Sequence, residues 1–75
     1  FQALRALRKR LADEQRVPPF VIFGDATLAE MAACRPQDME EMSRIGGVGK
    51  FKLGRYGAEF LHVIREFRRE TADFD

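Results

Sequence analysis

Ile45-Gly46-Gly47-Val48-Gly49-Lys50 decides the fold of this chain. The stretch runs apolar, any residue, Gly, apolar, Gly, and then a basic residue that opens a helix. Apolar residues recur at near-helical intervals on both sides of it: Met39, Met42 and Ile45 before, and Phe51, Leu53 and Tyr56 after. Two helices joined by so short a glycine-rich link make a helix-hairpin-helix unit. Glycine permits the tight, positive-φ turn and lets backbone N–H groups come close to a phosphate. The helix that follows presents unpaired N–H groups and a partial positive charge, to which Lys50 and Lys52 add. Such a site grips a phosphate without reading bases. The competing reading is a plain glycine-rich turn between packed helices. A mononucleotide-binding loop is excluded, because it needs Gly at 44 and Ser or Thr at 51, where this chain has Arg44 and Phe51. A dinucleotide fingerprint fails too, since no strand precedes the glycines.

Working outward, helical spacing covers almost the whole chain. Phe1, Leu4, Leu7 and Leu11 form one face of a first helix over about 1–15, with Arg5, Lys9 and Arg16 roughly opposite. Val17-Pro18-Pro19 ends it. Phe20-Val21-Ile22-Phe23 lacks helical spacing and has no second strand to pair with. It is expected to be an extended loop whose apolar side chains plug the core, without the need to bury all four. A second helix is expected over about 26–34, with Asp25 as N-cap, Thr27 and Glu30 as a competing capping box, and Leu28, Met31 and Ala32 buried. Pro36 stops it. A third, over about 38–45, opens on the Asp38/Glu41 pair and closes at Gly46-Gly47. A fourth spans about 48–56, with a break or kink at Gly57. A fifth spans about 58–70, with Phe60, Leu61, Ile64 and Phe67 inward and Arg65, Arg68 and Arg69 outside that stripe. Residues 71–75 are expected to fray. The fold class is therefore all-α, a compact bundle of about five helices.

Seventy-five residues make one domain at most, and the abrupt start inside a helical pattern reads as a fragment of a longer protein. No apolar run approaches the roughly 20 residues that span a bilayer, and no signal-peptide pattern opens the chain. One cysteine, Cys34, excludes an internal disulfide and fits a reducing, cytoplasmic setting. With one histidine, His62, it cannot assemble a structural metal site. Nothing sets Cys34 and His62 together as a nucleophile–base pair. No catalytic residue, metal or cofactor is expected, and the domain by itself is not expected to be an enzyme.

The 13 basic and 12 acidic residues leave a formal charge of +1, but they are unevenly spread. Arg5, Arg8, Lys9 and Arg10 lie together without an acid, as do Lys50, Lys52 and Arg55, while Asp38, Glu40 and Glu41 lie together without a base. Each cluster reads either as a solvated helix face or as part of a binding surface. Phe20, held out by Pro18-Pro19, is a candidate for stacking on an unpaired base, or else a core residue.

Three blocks, Phe1–Ala12 (FQALRALRKRLA), Val17–Met31 (VPPFVIFGDATLAEM) and Ile45–Ile64 (IGGVGKFKLGRYGAEFLHVI), resemble the HRDC (helicase and ribonuclease D C-terminal) domain, in the same order and over nearly the whole chain. The resemblance is nearer to the bacterial RecQ type than to the ribonuclease D type. It implies a five-helix bundle, monomeric, that assists an ATP-dependent DNA helicase by weak binding of single-stranded or partly duplex DNA. The family's loop aromatic falls on Phe20, its hairpin on Gly47, Val48 and Gly49, and its basic helix start on Lys50 and Lys52. Arg5, Lys9 and Arg55 would add long-range attraction. The near-zero net charge departs from a nucleic-acid module, whose affinity comes mainly from lysine and arginine. It leaves a second expectation open: docking on the helicase core or a repair partner through Asp38, Glu40 and Glu41.

Overall fold

The computed structural model describes the backbone of residues 1–74 and the side chains of residues 1–66. Six helices follow one another: α1 (Gln2–Gln15), α2 (Pro19–Ile22), α3 (Asp25–Cys34), α4 (Met39–Ser43), α5 (Lys50–Lys52) and α6 (Ala58–Phe74). A π-helical turn, Leu53–Gly57, joins α5 to α6. There is no strand among the described residues. The Cα radius of gyration of 11.9 Å is near the roughly 11 Å of a well-packed chain this long. The all-α bundle expected from the sequence is the observed fold.

The core is a single cluster. Leu4, Leu7 and Leu11 of α1 meet Leu28 and Met31 of α3, Met42 of α4, Tyr56 of the π turn, and Phe60, Leu61 and Ile64 of α6. Phe23 is its centre: the ring is buried and sits edge-on to Tyr56 (6.0 Å, 73°) and Phe60 (4.9 Å, 87°), the arrangement that ring quadrupoles favour. Tyr56 keeps its hydroxyl satisfied by donating to Gln15 Oε1 at 2.8 Å. Arg8 is the one buried charged side chain in the described part of the chain. Its Nη1 donates to Phe23 O at 3.0 Å and reaches Asp25 Oδ1 at 2.8 Å.

Several local expectations are corrected. Phe20–Phe23 is not wholly an extended loop. Pro18 caps a one-turn helix with Pro19 at its first position, where proline's fixed φ suits a helix and its missing N–H costs nothing. The turn directs Ile22 inward and Phe20 and Val21 outward, and only Phe23 is extended. Asp25 is not the N-cap of α3. Gly24 holds that position without a side-chain cap, and Asp25 sits in the first turn, where its carboxylate takes Arg8 instead. Asp38 does cap α4, accepting from Glu41 N at 2.8 Å.

Gly57 does not break the chain's last helix. The backbone stays helical from Lys50 onward, and the π turn absorbs the irregularity with Tyr56 and Gly57 buried. A Cβ on Gly57 would press on Leu53 and Met39 (3.0 and 3.2 Å), so glycine serves close packing here. Phe51 is not in the core stripe. Residues two apart on a helix point about 200° apart, so with Leu53 facing inward Phe51 faces out. Met39 likewise lies at the rim, while Met42 and Ile45 are buried. With no glycine or proline beyond residue 70, α6 continues to Phe74. The expected places of the Phe67, Arg68 and Arg69 side chains, and of Asp75, lie outside the described residues.

Candidate nucleic-acid interface

Between α4 and α5 the chain reverses within a few residues. Arg44, Ile45 and Val48 each donate to a carbonyl three residues back (3.1 Å in each case). Ile45 and Val48 anchor the turn in the core. Gly47 has φ +88, the conformation that glycine alone takes at little cost. A neighbouring helix holds the hairpin as well. Thr27 Oγ1 of α3 donates to Gly46 O at 2.8 Å, and Gly46 N donates to Glu30 Oε2 at 3.1 Å. A Cβ on Gly47 would collide with Thr27 Oγ1. Gly49 then starts α5 with open space around it and no side-chain cap. Leu53 N is bonded to Gly49 O at 2.8 Å. The N–H groups of the preceding turn are the ones a helix leaves without an internal partner.

Lys50 and Phe51 are exposed at this opening, and Lys52 is half-buried. Lys52 Nζ lies 5.8 Å from the Phe23 ring centroid and the Arg55 guanidinium 5.5 Å from that of Tyr56, both at cation–π distance. Among the described residues, none of Lys50, Lys52 and Arg55 takes part in an ion pair. Lys52 thus reaches the residue that ends the Phe20–Phe23 segment. Phe20 is 69% exposed.

The other candidates are placed differently. Lys9 on α1 pairs with Asp13 at 2.9 Å, and Arg10 pairs with Glu59 at 3.0 Å. With Arg8 buried against Asp25, three of the four charges in the 5–10 cluster are matched locally. Arg5 stays exposed, 5.9 Å from the Phe1 ring centroid. No hydrogen bond or ion pair among the described residues links Arg5 or Lys9 to the hairpin. The acidic cluster is engaged within its own helix. Asp38 caps it, Glu41 Oε1 accepts from Gln37 N at 2.7 Å, and Glu40 pairs with Arg44 at 2.8 Å. Cys34 and His62 are both exposed, with no hydrogen bond between them. Among the described residues no three His, Cys, Asp or Glu side chains gather as a metal site, and no helix is long and apolar enough to cross a membrane.

Residues 1–64 match the model of the HRDC domain. The chain belongs to the HRDC domain family. It is similar to the ATP-dependent DNA helicase RecQ of Haemophilus influenzae (47% identity over 73 residues, 97% of this chain and 12% of the relative) and to that of Bacillus subtilis (46% over 71 residues, 95% and 12%). It is also similar to the ribonuclease D of Granulibacter bethesdensis (37% over 68 residues, 89% and 17%). The chain thus spans about an eighth of the length of the RecQ relatives it matches. Among solved structures it superposes on the D. radiodurans RecQ HRDC domain 3 with a TM-score of 0.84 at 35% identity, covering 88% of this chain and 87% of that one. The resemblance seen in the three sequence blocks is therefore shown.

Within this HRDC domain, three residues that shape the site have partners that the sequence did not indicate. Thr27 and Glu30 read as a local capping box, yet both reach sixteen or more residues ahead to hold Gly46. Arg8 read as one charge in a solvated cluster, yet it ties down the Phe23 carbonyl. Its position next to Leu7 and one turn before Leu11 was the available signal, since it lies at the edge of the buried face.

Proposed function

We propose that this HRDC domain is an accessory DNA-binding module of a RecQ-type, ATP-dependent DNA helicase. On this reading the domain performs no chemistry of its own. It binds DNA weakly and without sequence preference, and so biases which substrates the helicase engages in repair and recombination. The observation that carries the reading is the clamped Gly47–Gly49 hairpin, opening on an uncapped helix start that carries two lysines with no ion pair among the described residues. A phosphate oxygen there would accept from the free backbone N–H groups in the favourable field of the helix. Lys50, Lys52 and Arg55 would neutralise neighbouring phosphates, and Phe20 would stack on a base. Arg5 supplies longer-range attraction, and Lys9 less, since Asp13 already offsets it. The near-balanced charge of +1 fits weak rather than tight binding.

The salt dependence of binding tests this. Three neutralised phosphates on a single strand give a slope of log K on log salt near −2, hence about an 18-fold loss between 50 and 200 mM. Lys50→Ala with Lys52→Ala should leave one phosphate contact, a slope near −0.7 and a loss of roughly threefold. A double variant that binds as tightly and as salt-sensitively as the parent chain removes the hairpin from the account. Docking on the helicase core through Asp38, Glu40 and Glu41 has less support, because those acids are already bonded within their own helix. Loss of core binding when Glu40 and Glu41 are both reversed to lysine would restore it.

A further inference from the structure

Phe51 is 74% exposed, the most exposed large apolar side chain among the described residues. Among the described residues its ring packs in neither the core nor any aromatic pair, so changing it should disturb the fold little. It stands between Lys50 and Lys52 and two residues past Gly49, where the uncapped helix start lies. We infer that Phe51 is a base-stacking residue of this interface, a contact that an unpaired base can make and a closed duplex cannot. The inference rests on the phosphate-binding reading of the hairpin and adds a stacking residue to it.

The chemistry favours this occupant over a protein surface. Burying Phe51 in a protein interface would also bury Lys50 and the open N–H groups beside it, and unpaired buried donors and charges are costly. Lysine is depleted from interface cores for the same reason. A single strand has no such conflict. Its phosphates meet the lysines and the N–H groups, and its free base faces meet the ring. A closed duplex offers phosphates but keeps its base faces stacked on one another, so the ring gains nothing from it. Phe20 is a second exposed ring, three residues before the Phe23 ring that Lys52 contacts, and a strand that reached both would have two platforms for its bases.

The test is fluorescence anisotropy with a labelled oligothymidine and, separately, a hairpin-closed duplex with the same number of phosphates. It compares the parent chain with Phe51→Leu, Phe51→Trp and the Lys50→Ala/Lys52→Ala double variant. Leucine keeps the apolar bulk and removes the ring face. Phe51→Leu should weaken single-strand binding about fivefold or more, the lower end of what stacking on one base supplies. It should leave duplex binding and Tm unchanged, and Phe51→Trp should retain or tighten single-strand binding. If Phe51→Leu binds the single strand like the parent, or weakens both ligands equally, the stacking assignment is wrong. The hairpin reading would still stand provided that the lysine variant loses affinity for both. If the lysine variant loses nothing, or the parent binds neither ligand, the hairpin reading falls and the assignment with it.

Discussion

Replacing Arg8 with methionine separates two interactions that share one guanidinium. Nη1 bonds both the Phe23 carbonyl and the Asp25 carboxylate, at 3.0 and 2.8 Å, but the two acceptors sit in different surroundings. The Arg8 side chain is 9% exposed, whereas that of Asp25 is 88% exposed. Without Arg8, water can satisfy Asp25, and an ion pair so open to solvent is worth about 0–1 kcal/mol. The Phe23 carbonyl lies in the core and would be left unpaired, which costs about 1–3 kcal/mol. Methionine keeps most of the aliphatic stem, so little packing is lost. Arg8→Met should therefore cost about 2 kcal/mol, which for a domain of this size lowers Tm by roughly 8–16 °C. Asp25→Asn should cost less than about 1 kcal/mol, counting both the ion pair and the favourable placement of a carboxylate in the first turn of α3. Thermal unfolding of both variants, followed by far-ultraviolet circular dichroism, measures the two costs side by side. Equal losses would show that the ion pair is the stabilising contact and refute the reasoning. So would a loss under about 0.5 kcal/mol for Arg8→Met.

Two glycines two residues apart should behave oppositely in the same assay. Gly47→Ala forces a side chain into a positive-φ position and against Thr27 Oγ1, costing about 2–3 kcal/mol from backbone strain and the displaced Thr27–Gly46 bond. Gly49→Ala meets open space at φ −82 and should lower Tm by no more than a degree or so, since nothing is displaced; a comparable drop for both would contradict the geometry. Tyr56→Phe removes the hydroxyl donated to Gln15 Oε1 and should cost about 1 kcal/mol, or roughly 4–8 °C in Tm. An unchanged Tm would mean that water replaces Gln15 there without penalty.

What could be read in the sequence, and what could not, divides along physical lines. Stripes made of repeated leucines and aromatics declared themselves: Leu4/Leu7/Leu11 and Phe60/Leu61/Ile64 are buried where their spacing puts them, because a helix face is a local property. The Asp38 cap was legible for the same reason, since its donor lies three residues away. Phe51 was misplaced by grouping it with Leu53, a spacing of two that no helix face allows. Pro18-Pro19 was read as a stop and as a stiff support for Phe20, although proline also starts helices, and α2 follows from that further role. Gly57 was read through its low helix propensity, yet contact with Leu53 and Met39 selects it, and tertiary packing overrides propensity. Thr27, Glu30 and Arg8 act on partners 15 to 19 residues away, and no local pattern carries such pairings. The hairpin itself was recognisable from its glycines. Its clamp by α3, which fixes how the N–H groups are presented, was not.

The central claim is that the hairpin and the Phe20 corner form one DNA-binding end of the domain. A backbone-amide NMR titration with a short single-stranded oligonucleotide at low salt tests it most directly. Shifts centred on Gly47–Lys52 and on Phe20, fading as salt is raised, are the predicted result. An unshifted spectrum at saturating DNA would contradict it, as would shifts confined to α1 or to the Asp38–Glu41 segment.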